Sequence, residues 1–290
     1  MIRILLLGGA GFIGKNFIIS QNKKYKIFLL LKNTLKNRNF LKDKKNIRFK
    51  KIYFNKYSEI DNKLRNIKFS IVLNLATYYS QKSDYKNTLK IIDSNIVLPS
   101  VIMSLMRPSN IKKIINIGTT FEHKNNQKYY PANFYASSKH AFQKIIQFYN
   151  EEFYKTKFYN LKFYETYGLN DKRDKIIQNI KNCFYKKKIF KLYSKRLKLN
   201  FLHVEDVISA LNILITKNIR SGEYLIKSKK HSYVYKLLDL FNNTNKKKIN
   251  YKISNKKTTK YDYKTKKLPK WKQKYFIEND FQKLITNENN

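Results

Sequence analysis

The sequence predicts an α/β fold in which helices cover both faces of a doubly wound parallel sheet. Two observations support this prediction. Short apolar runs alternate with stretches that are long enough for crossover helices, and four of the seven glycines fall within the first 14 residues, directly after the first apolar run. The length of 290 residues fits one two-lobed domain or two small domains.

Each predicted element follows from the apolar pattern of its segment. A short, continuous apolar run is typical of a strand that is buried on both faces of a parallel sheet. Such runs predict strands at residues 2–7, 26–31, 47–54, 70–75 and 113–117. Helical spacing of apolar residues predicts a helix over residues 12–19 and two long helices over residues 84–106 and 134–153.

The chain changes character after about residue 160, where strands become sparse and basic helical segments become frequent. A smaller C-terminal lobe is predicted there, built partly from helices over residues 174–187 and 204–218. The lysine-rich stretch 246–267 predicts a surface strand and loop, because core-forming residues return after it. The predicted boundary separates residues 1–165, with returning segments near 200–225, from residues 166–290.

Composition excludes several classes of protein. With 42% hydrophobic and 15% aromatic residues, the chain is too rich in core-forming residues to be disordered. The single cysteine, Cys183, excludes an internal disulfide framework, and the four histidines lack metal-ligand spacing, so no metal is expected. No apolar run approaches the length of a membrane span. We therefore expect neither a signal peptide nor a membrane span, and a cytoplasmic location.

The formal charge of +43 would normally suggest a nucleic-acid or membrane partner. Only 8 of the 62 cationic residues are arginine, however, and the lysines are spread over the whole chain. Proteins that recognise phosphates and bases favour the planar, forked guanidinium of arginine. The sequence therefore predicts a solvated basic surface rather than a nucleic-acid site.

The glycine cluster predicts a dinucleotide site. Glycine is required where a Cβ cannot fit, and Gly8, Gly11 and Gly14 fall where a tight turn, a close approach to a pyrophosphate and close packing of the next helix require it. The helix that follows offers its positive N-terminal end, with Phe12 and Ile13 in the first turn, to the phosphates.

The segment Gly8-Gly-Ala-Gly-Phe-Ile-Gly14 resembles the signature of the extended short-chain dehydrogenase/reductases, the NAD(P)-dependent epimerase and dehydratase family. The resemblance implies a Rossmann domain, a nicotinamide cofactor and a nucleotide-sugar substrate bound by a smaller C-terminal lobe. The family commonly forms homodimers through two long helices of each subunit. The segments 84–106 and 134–153 are the candidates here.

Tyr135 and Lys139 form a Y-x-x-x-K pair, whose spacing places both side chains on one face of a helix. The ammonium could then lower the pKa of the phenol and hold a ribose hydroxyl, which would make the phenol usable as an acid or base. In the family, a hydroxyl residue at the end of the preceding strand completes the triad. The match assigns this role to Thr120, with Thr119 as the adjacent alternative.

Further segments resemble the cofactor site of the family. Asn74-Leu-Ala-Thr77 is similar to the turn that lines the cofactor, which assigns Leu75, Ala76 and Thr77 to it. Asn95 corresponds to an asparagine that braces the active site, and Asn55, after the third predicted strand, is assigned to the same cofactor site.

The end of the second predicted strand bears on whether the protein binds NAD(H) or NADP(H). In NAD-selective sites an acidic residue at the end of this strand binds the adenosine ribose hydroxyls. Residues 28–33 contain no carboxylate, and Lys32, helped by Lys36 or Arg38, could neutralise a 2′-phosphate. NADP(H) is therefore favoured over NAD(H).

The C-terminal half carries similar matches. Lys162-Phe-Tyr-Glu-Thr-Tyr-Gly168, with lysine where arginine is usual, residues 200–206 and residues 268–271 resemble segments of the substrate lobe. Residues 116–123, 131–135 and 166–171 resemble the CDP-abequose synthase-like branch of nucleotide-sugar 4-keto reductases.

Two departures from the family pattern bear on the substrate. Leu199 replaces the arginine that clamps the pyrophosphate, so the clamp is expected from other cations. The Asp-Glu pair that follows the catalytic threonine of dehydratases reads Phe121-Glu122, which argues against elimination of water. The predicted substrate-binding residues are Thr119, Glu122, Tyr164, Thr166, Arg173, Lys175 and Arg196.

These observations leave three functional hypotheses. The favoured one is an NADPH-dependent reductase of a 4-keto-deoxysugar linked to a nucleotide diphosphate. The alternative is an NAD-dependent 4-epimerase that uses the same triad and keeps its cofactor bound. The remote alternative is a catalytically idle basic protein that binds nucleic acid, and the retention of Thr120, Tyr135 and Lys139 together argues against it.

Overall fold

The computed structural model describes residues 1–42, 46–106, 111–152, 155–259, 261 and 265–287. In chain order, the strands are β1 (Arg3–Leu7), β2 (Lys26–Lys32), β3 (Lys50–Phe54), β4 (Ile71–Asn74), β5 (Lys113–Ile117), β6 (Lys157–Lys162), β7 (Glu165–Tyr167), β8 (Phe190–Leu192), β9 (Lys198–Leu199), β10 (Phe201–His203), β11 (Gly222–Leu225), β12 (Ser232–Tyr233) and β13 (Tyr251–Ile253).

The helices are α1 (Phe12–Gln21), α2 (Leu35–Asn39), α3 (Ile60–Leu64), α4 (Tyr85–Ile92), α5 (Leu98–Leu105), α6 (Phe134–Glu152), α7 (Ile176–Tyr185), α8 (Val204–Thr216), α9 (Val234–Thr244) and α10 (Ile277–Thr286). A π-helical turn, Asp93–Val97, joins α4 to α5, so that residues 85–105 form one continuous helix. Short 3-10 turns lie at Tyr57–Glu59, Thr120–Glu122 and Lys124–Asn126.

Seven parallel strands form the main sheet in the order β11-β6-β5-β4-β1-β2-β3. The strand order reverses between β1 and β4, and ligands of such sheets bind at this switch point, outside the carboxyl ends of the strands. The predicted fold class, a doubly wound parallel sheet, is confirmed.

Alternate side chains of the central strands enter two different cores, because successive strand residues point to opposite faces. Ile4 and Leu6 of β1 pack with α1 and α8, whereas Leu5 and Leu7 pack with α3, α5 and α6. Burial on both faces explains why these strands are uninterrupted apolar runs in the sequence.

The five strands predicted before residue 118 all form, with ends that differ by up to three residues. Sequence analysis missed the strands β6 and β11, which extend the sheet beyond β5. Strand β6 is Lys-Phe-Tyr-Asn-Leu-Lys, whose polar ends hide it from a search for apolar runs. The predicted helix over residues 134–153 forms as α6, and its last residue lies outside the described residues.

The smaller lobe has its own core, in which α7, α9 and α10 pack on short strands. Helix α7 lies in this lobe as predicted, but α8 does not. Buried Val207, Leu211 and Leu214 pack α8 into the same core as α1 and the main sheet. The prediction that residues 204–218 build the smaller lobe is therefore wrong. The expected surface strand after residue 246 forms as β13, beside β8.

The helix over residues 85–105 is long and apolar enough to cross a membrane, judged by length and composition alone. The sequence contains no uninterrupted apolar run of this length, and the expectation that no segment spans a membrane stays a prediction. Core helices of soluble proteins have the same properties, and this helix buries Ile91, Ile102 and Met103 in the fold.

Candidate active site

The glycine turn after β1 brings α1 unusually close to the sheet. Gly8 has a φ of +72°, a conformation that L side chains rarely adopt. A Cβ on Gly14 would lie 2.4 Å from Gly9 Cα, and one on Gly9 would lie 2.2 Å from the side chain of Leu29 on β2. Gly8 and Gly14 thus have the turn and packing roles that the sequence predicts, while Gly9 has a packing role that sequence analysis did not assign.

The cradle formed by this turn fits a dinucleotide phosphate group. A Cβ on Gly11 would meet only the Gly8 carbonyl oxygen, at 3.2 Å. The fold itself could therefore admit a small side chain at position 11. Helix α1 has no side-chain cap and no acidic residue in its first turn, which contains Phe12 and Ile13. Its N-terminal amides and positive dipole therefore face no competing carboxylate of the same turn.

The turn after β4 forms the opposite wall of the cradle. A Cβ on Gly8 would lie 2.4 Å from Ala76 N, so the two turns are in direct contact. Ala76 N donates to Asn74 Oδ1 at 3.1 Å, and the exposed Thr77 follows. Leu75, Ala76 and Thr77 therefore lie beside the glycine turn, where the sequence places the cofactor.

Asn95 braces this region and lies in the π-helical turn. Its Oδ1 accepts from Tyr78 N at 2.8 Å, and its Nδ2 donates to Tyr78 O at 3.2 Å and to Ser138 Oγ at 2.9 Å. Both polar groups of the amide are thereby used within the protein. Asn95 ties the turn after β4 to α6, which is a bracing role rather than a direct contact with a cofactor.

Tyr135 and Lys139 lie one turn apart in α6, and both side chains are buried. Lys139 Nζ donates to Thr77 Oγ1 at 3.0 Å, which links the helix to the wall of the cradle. The Thr119 hydroxyl lies close enough to the Tyr135 hydroxyl to lower the pKa of the phenol, although burial outweighs this effect. The structure thus brings a threonine, a tyrosine and a lysine together at the carboxyl edge of the sheet.

The threonine in contact with Tyr135 is Thr119, and Thr120 is its buried neighbour in the 3-10 turn. Thr119 Oγ1 also accepts from Phe121 N at 3.3 Å. The sequence match favoured Thr120 and treated Thr119 as the alternative. The observed contact makes Thr119 the better candidate for the third member of the triad.

Burial shifts the pKa of both titratable groups, Tyr135 and Lys139, toward their neutral forms. It raises the pKa of the Tyr135 hydroxyl well above its usual value, and the negative charge of Glu122 raises it further. Burial lowers the pKa of Lys139 to about 8, although Glu122 opposes the shift, so the amine still carries its proton at neutral pH. The sequence analysis expected the ammonium to lower the pKa of Tyr135. The structure gives the opposite direction, because burial of the phenol dominates.

Lys32, at the end of β2, is not a free cation. Its Nζ lies 2.6 Å from Asp93 Oδ2, and the hydroxyl of Tyr57 donates to the other oxygen of Asp93. The end of β2 therefore does meet a carboxylate, supplied by the π-helical turn 61 residues away. Asn55 lies nearby and accepts from Asn33 Nδ2 at 3.0 Å.

Two of the predicted cationic substrate ligands are already paired with carboxylates. Arg173 contacts both oxygens of Asp171, donates to Thr166, and places its guanidinium over the ring of Phe12 at 4.3 Å. Lys175 Nζ lies 2.7 Å from Glu165 Oε1.

Arg196 differs from these two residues. It is exposed between β8 and β9, and no ion pair holds it within the part of the chain that the structure describes. Arg196 is thus the predicted clamp residue that could meet a phosphate without first leaving a carboxylate.

Tyr164, another predicted substrate-binding residue, packs its ring on His231, with 5.7 Å between the ring centroids.

Tyr79, which sequence analysis missed, packs edge-on against Tyr135, with 5.0 Å between the ring centroids. Lys175 Nζ lies 5.9 Å from the Tyr79 ring, so the Lys175–Glu165 pair reaches the region of the triad. Phe121 packs on Tyr261, with 5.0 Å between the rings. Sequence analysis could not single out Tyr79, because an aromatic residue five positions after β4 matches no motif in a chain with 23 tyrosines.

Glu122 was predicted to bind substrate, but the structure buries it beneath the triad, 3.0 Å from Lys162 Nζ. It is therefore not exposed to a ligand in this arrangement. Among the residues that the structure describes, no three His, Cys, Asp or Glu side chains come together in a way that could hold a metal ion.

Comparisons with known proteins agree with this geometry. Residues 4–226 match the model of the NAD dependent epimerase/dehydratase family. The chain is 25% identical over 225 residues to CDP-abequose synthase of Yersinia pseudotuberculosis, which covers 77% of this chain and 76% of that protein. It is 24% identical to dTDP-D-glucose 4,6-dehydratase of Dictyostelium discoideum, over 77% of this chain and 58% of that protein.

Solved structures share the fold. UDP-glucuronic acid 4-epimerase from Bacillus cereus, in complex with UDP-glucuronic acid and NAD, superposes with a TM-score of 0.80 at 16% identity over 97% of each chain. dTDP-glucose 4,6-dehydratase from Bacillus anthracis, in complex with NAD, superposes with a TM-score of 0.76 at 20% identity, over 98% of this chain and 96% of that one.

A pair of glycine variants should separate folding from binding of the dinucleotide. We expect Gly14→Ala to lower the free energy of unfolding by roughly 3 kcal/mol, because backbone atoms must move to admit its Cβ. Gly11→Ala should unfold at nearly the wild-type temperature but lose at least roughly tenfold in affinity for NAD(P), because its Cβ enters the phosphate cradle. Circular dichroism and calorimetric titration measure the two effects. Unchanged cofactor affinity in Gly11→Ala would place the phosphates elsewhere.

Proposed function

The chain belongs to the NAD dependent epimerase/dehydratase family, a family of nucleotide-sugar enzymes, and on that premise we propose that it is an NADPH-dependent reductase of a nucleotide-linked 4-keto-deoxysugar. The family match covers residues 4–226, which include the glycine cradle, the triad and the main sheet except Arg3 at the start of β1. The 25% identity to CDP-abequose synthase supports this choice within the family.

The observation that carries the proposal is the placement of Thr119, Tyr135 and Lys139 at the carboxyl edge of the sheet, beside the glycine cradle. Reduction of a ketone requires a proton donor at the carbonyl oxygen, whereas the first step of an epimerase requires a base that removes a proton from an alcohol. The buried phenol of Tyr135 can act as this donor, and burial raises its pKa. The identity to CDP-abequose synthase favours the reductase over the epimerase.

Each residue of the triad then has a distinct task. Bound NADPH would supply the hydride that adds to the carbonyl carbon. Tyr135 donates its proton to the carbonyl oxygen, and the Thr119 hydroxyl orients that oxygen. Lys139, whose Nζ donates to Thr77 at the wall of the cradle, holds a ribose hydroxyl. Its protonated form also gives the site a positive charge.

The residues after the triad threonine do not support elimination of water. If Thr119 is the triad member, the next two residues are Thr120 and Phe121, and neither is an acid. If Thr120 is the member, they are Phe121 and Glu122, and Glu122 is buried against Lys162. Neither alignment supplies a carboxyl group that faces the substrate.

One observation favours the second candidate, an NAD-dependent 4-epimerase. Asp93 places a carboxylate at the end of β2, where NAD-selective sites hold an acid for the adenosine ribose. Binding of a 2′-phosphate would require Lys32 to exchange Asp93 for the phosphate. In the reductase Lys32 would leave Asp93 to bind the 2′-phosphate of NADPH, whereas in the epimerase Asp93 would bind the adenosine ribose of NAD.

The test is to denature freshly purified protein and identify the released nicotinamide nucleotide by chromatography, relative to the protein concentration. A reductase exchanges its cofactor in every turnover, so we expect the protein to be empty and to bind NADPH more tightly than NADH. Near-stoichiometric NAD would overturn the reductase and establish the epimerase as the working model.

Two variants test the Lys32–Asp93 pair directly. We expect Lys32→Ala to lower the affinity for NADPH by roughly fivefold and leave that for NADH unchanged, because one exposed ionic contact is lost. Asp93→Asn should raise the affinity for NADPH, since Lys32 is then free for the phosphate. Equal effects on both cofactors would show that the pair does not discriminate between them.

A matched pair of threonine variants identifies the third member of the triad. We expect Thr119→Val to lower kcat by at least about hundredfold, because the group that orients the reacting oxygen is removed. Thr120→Val, with the same change of shape and similar burial, should retain most of the activity. Steady-state rates on 4-keto nucleotide sugars measure both. The reverse order would assign the role to Thr120.

We further propose that two copies of the chain associate through the helices over residues 85–105 and 134–152. Leu89 and Phe148 are exposed by 51% and 59% on these helices, which pack on the same face of the sheet. Leu89→Lys should give a monomer in analytical ultracentrifugation. Ile19→Lys, on α1 at the other face, is the matched control and should leave the dimer intact. A monomeric wild type at 0.5 M salt would exclude the dimer.

A further inference from the structure

A cluster of charged side chains is buried directly beneath the triad. Glu122 and Lys162 are 1% and 2% exposed, and neither has a task in the reduction as derived above. Lys162 Nζ lies 3.0 Å from Glu122 Oε2, 2.8 Å from Glu223 Oε2 and 2.9 Å from His123 Nε2. His140, the residue after Lys139 in α6, lies 3.4 Å from Glu122 Oε2.

The charges of this cluster are nearly balanced. Two carboxylates, Glu122 and Glu223, share the single ammonium of Lys162, and the cluster therefore carries one excess negative charge when the histidines are neutral. Burial, together with the charge of Lys162, lowers the pKa of His123 and favours the neutral imidazole. Its Nδ1 lies 3.2 Å from Gln127 O and its Nε2 lies 2.9 Å from Lys162 Nζ, which fits a proton on Nδ1 and an Nε2 that accepts from Lys162. Gln143 of α6 donates to Glu223 at 2.6 Å.

Only one of the two carboxylates touches the triad. Glu122 Oε1 accepts from Thr119 N at 3.1 Å, while Thr119 Oγ1 accepts from Phe121 N. The Thr119 side chain also accepts from the backbone of Glu122, so the two residues close a capping box over the 3-10 turn, which fixes the position of Thr119. Glu122 is thus connected through Thr119 to the Tyr135 hydroxyl, and Lys162 anchors the other end of its carboxylate to β6.

We propose that Glu122 is a positioning residue, whose buried carboxylate fixes the Thr119 turn against Tyr135 and places a negative charge beneath Tyr135 and Lys139. The proposal assigns to Glu122 a role different from substrate binding, and it rests on the proposed function for its kinetic readout. Lys162 and His140 hold the carboxylate in place and partly compensate its charge.

The electrostatics of the site support this role. After burial, the charge of Glu122 is the strongest influence on the pKa of Tyr135, which it raises, and it also raises the pKa of Lys139. His140, Lys162 and the Thr119 amide outweigh the burial of Glu122 and lower its own pKa, so it is ionised at neutral pH. Removing a negative charge favours the deprotonated forms of both Tyr135 and Lys139.

Three variants separate position from charge. Glu122→Gln keeps an oxygen for Thr119 N and removes the charge, whereas Glu122→Ala removes both. Glu223→Gln is the matched control, because it also leaves Lys162 with one carboxylate but does not touch the turn. Thermal unfolding of all three establishes that they fold, and the two glutamine variants should lose similar stability.

The first readout needs no substrate. Hydrogen exchange of the peptide over residues 118–123 should be faster in Glu122→Ala, because the Thr119 amide loses its acceptor. It should stay slow in Glu122→Gln and Glu223→Gln. Equal exchange in Glu122→Ala and wild type would overturn the positioning role, whatever the protein's substrate is.

The second readout is the pH dependence of kcat. Loss of the Lys139 proton, whose pKa is about 8, sets the alkaline limb, and Glu122→Gln should shift this limb to lower pH by about one unit, because the charge of Glu122 raises that pKa. Glu223→Gln should leave the limb in place, and Glu122→Ala should lower kcat by about hundredfold. Identical limbs in the two glutamine variants would overturn the charge role. A wild type that reduces no 4-keto nucleotide sugar would overturn the proposed function and leave the exchange result to decide the positioning role.

Discussion

The contact between Gly14 and the Gly8–Gly9 turn is the constraint on which the rest of the site depends. It sets the depth at which α1 enters the sheet, because no Cβ fits at the contact. Gly8 in turn presses against Ala76, so the turn after β4 takes its position from the same contact. Thr77 follows that turn and bonds Lys139, which connects the cradle to α6 and the triad.

The carboxyl edge of the sheet is polar, and a chain of hydrogen bonds runs along it. Asn74, Asn116 and Asn160, on neighbouring strands, form a hydrogen-bonded row that ends at Glu223. This row continues into the charged cluster around Lys162. Because buried polar groups cost free energy unless they are paired, this row favours one arrangement of the strand ends and of the residues they carry.

Much of the fold was predictable because buried parallel strands are continuous apolar runs and because the glycine spacing has a steric cause. The Tyr135 and Lys139 pair was predictable from its helical spacing together with the resemblance to the family, because the spacing alone recurs by chance in a chain with 23 tyrosines. Lys32 and Asp93 meet across 61 residues, and no local pattern reports such a pairing. The strands of the smaller lobe contain two or three residues, too few for any periodicity. The choice between Thr119 and Thr120 depended on a side-chain direction that the sequence does not contain.

Gly118 shows how the buried lysine restricts substitutions elsewhere. A Cβ at this position would lie 2.9 Å from Lys162 Cγ, so the fold admits the lysine only while residue 118 has no side chain. A shorter residue at position 162 would remove this contact, but the Asn160 side chain would still lie 3.0 Å from the same Cβ, and Glu122 would be left buried without its main cation. Substitutions at positions 118, 160 and 162 are therefore epistatic, because the cost of each depends on the side chains at the other two.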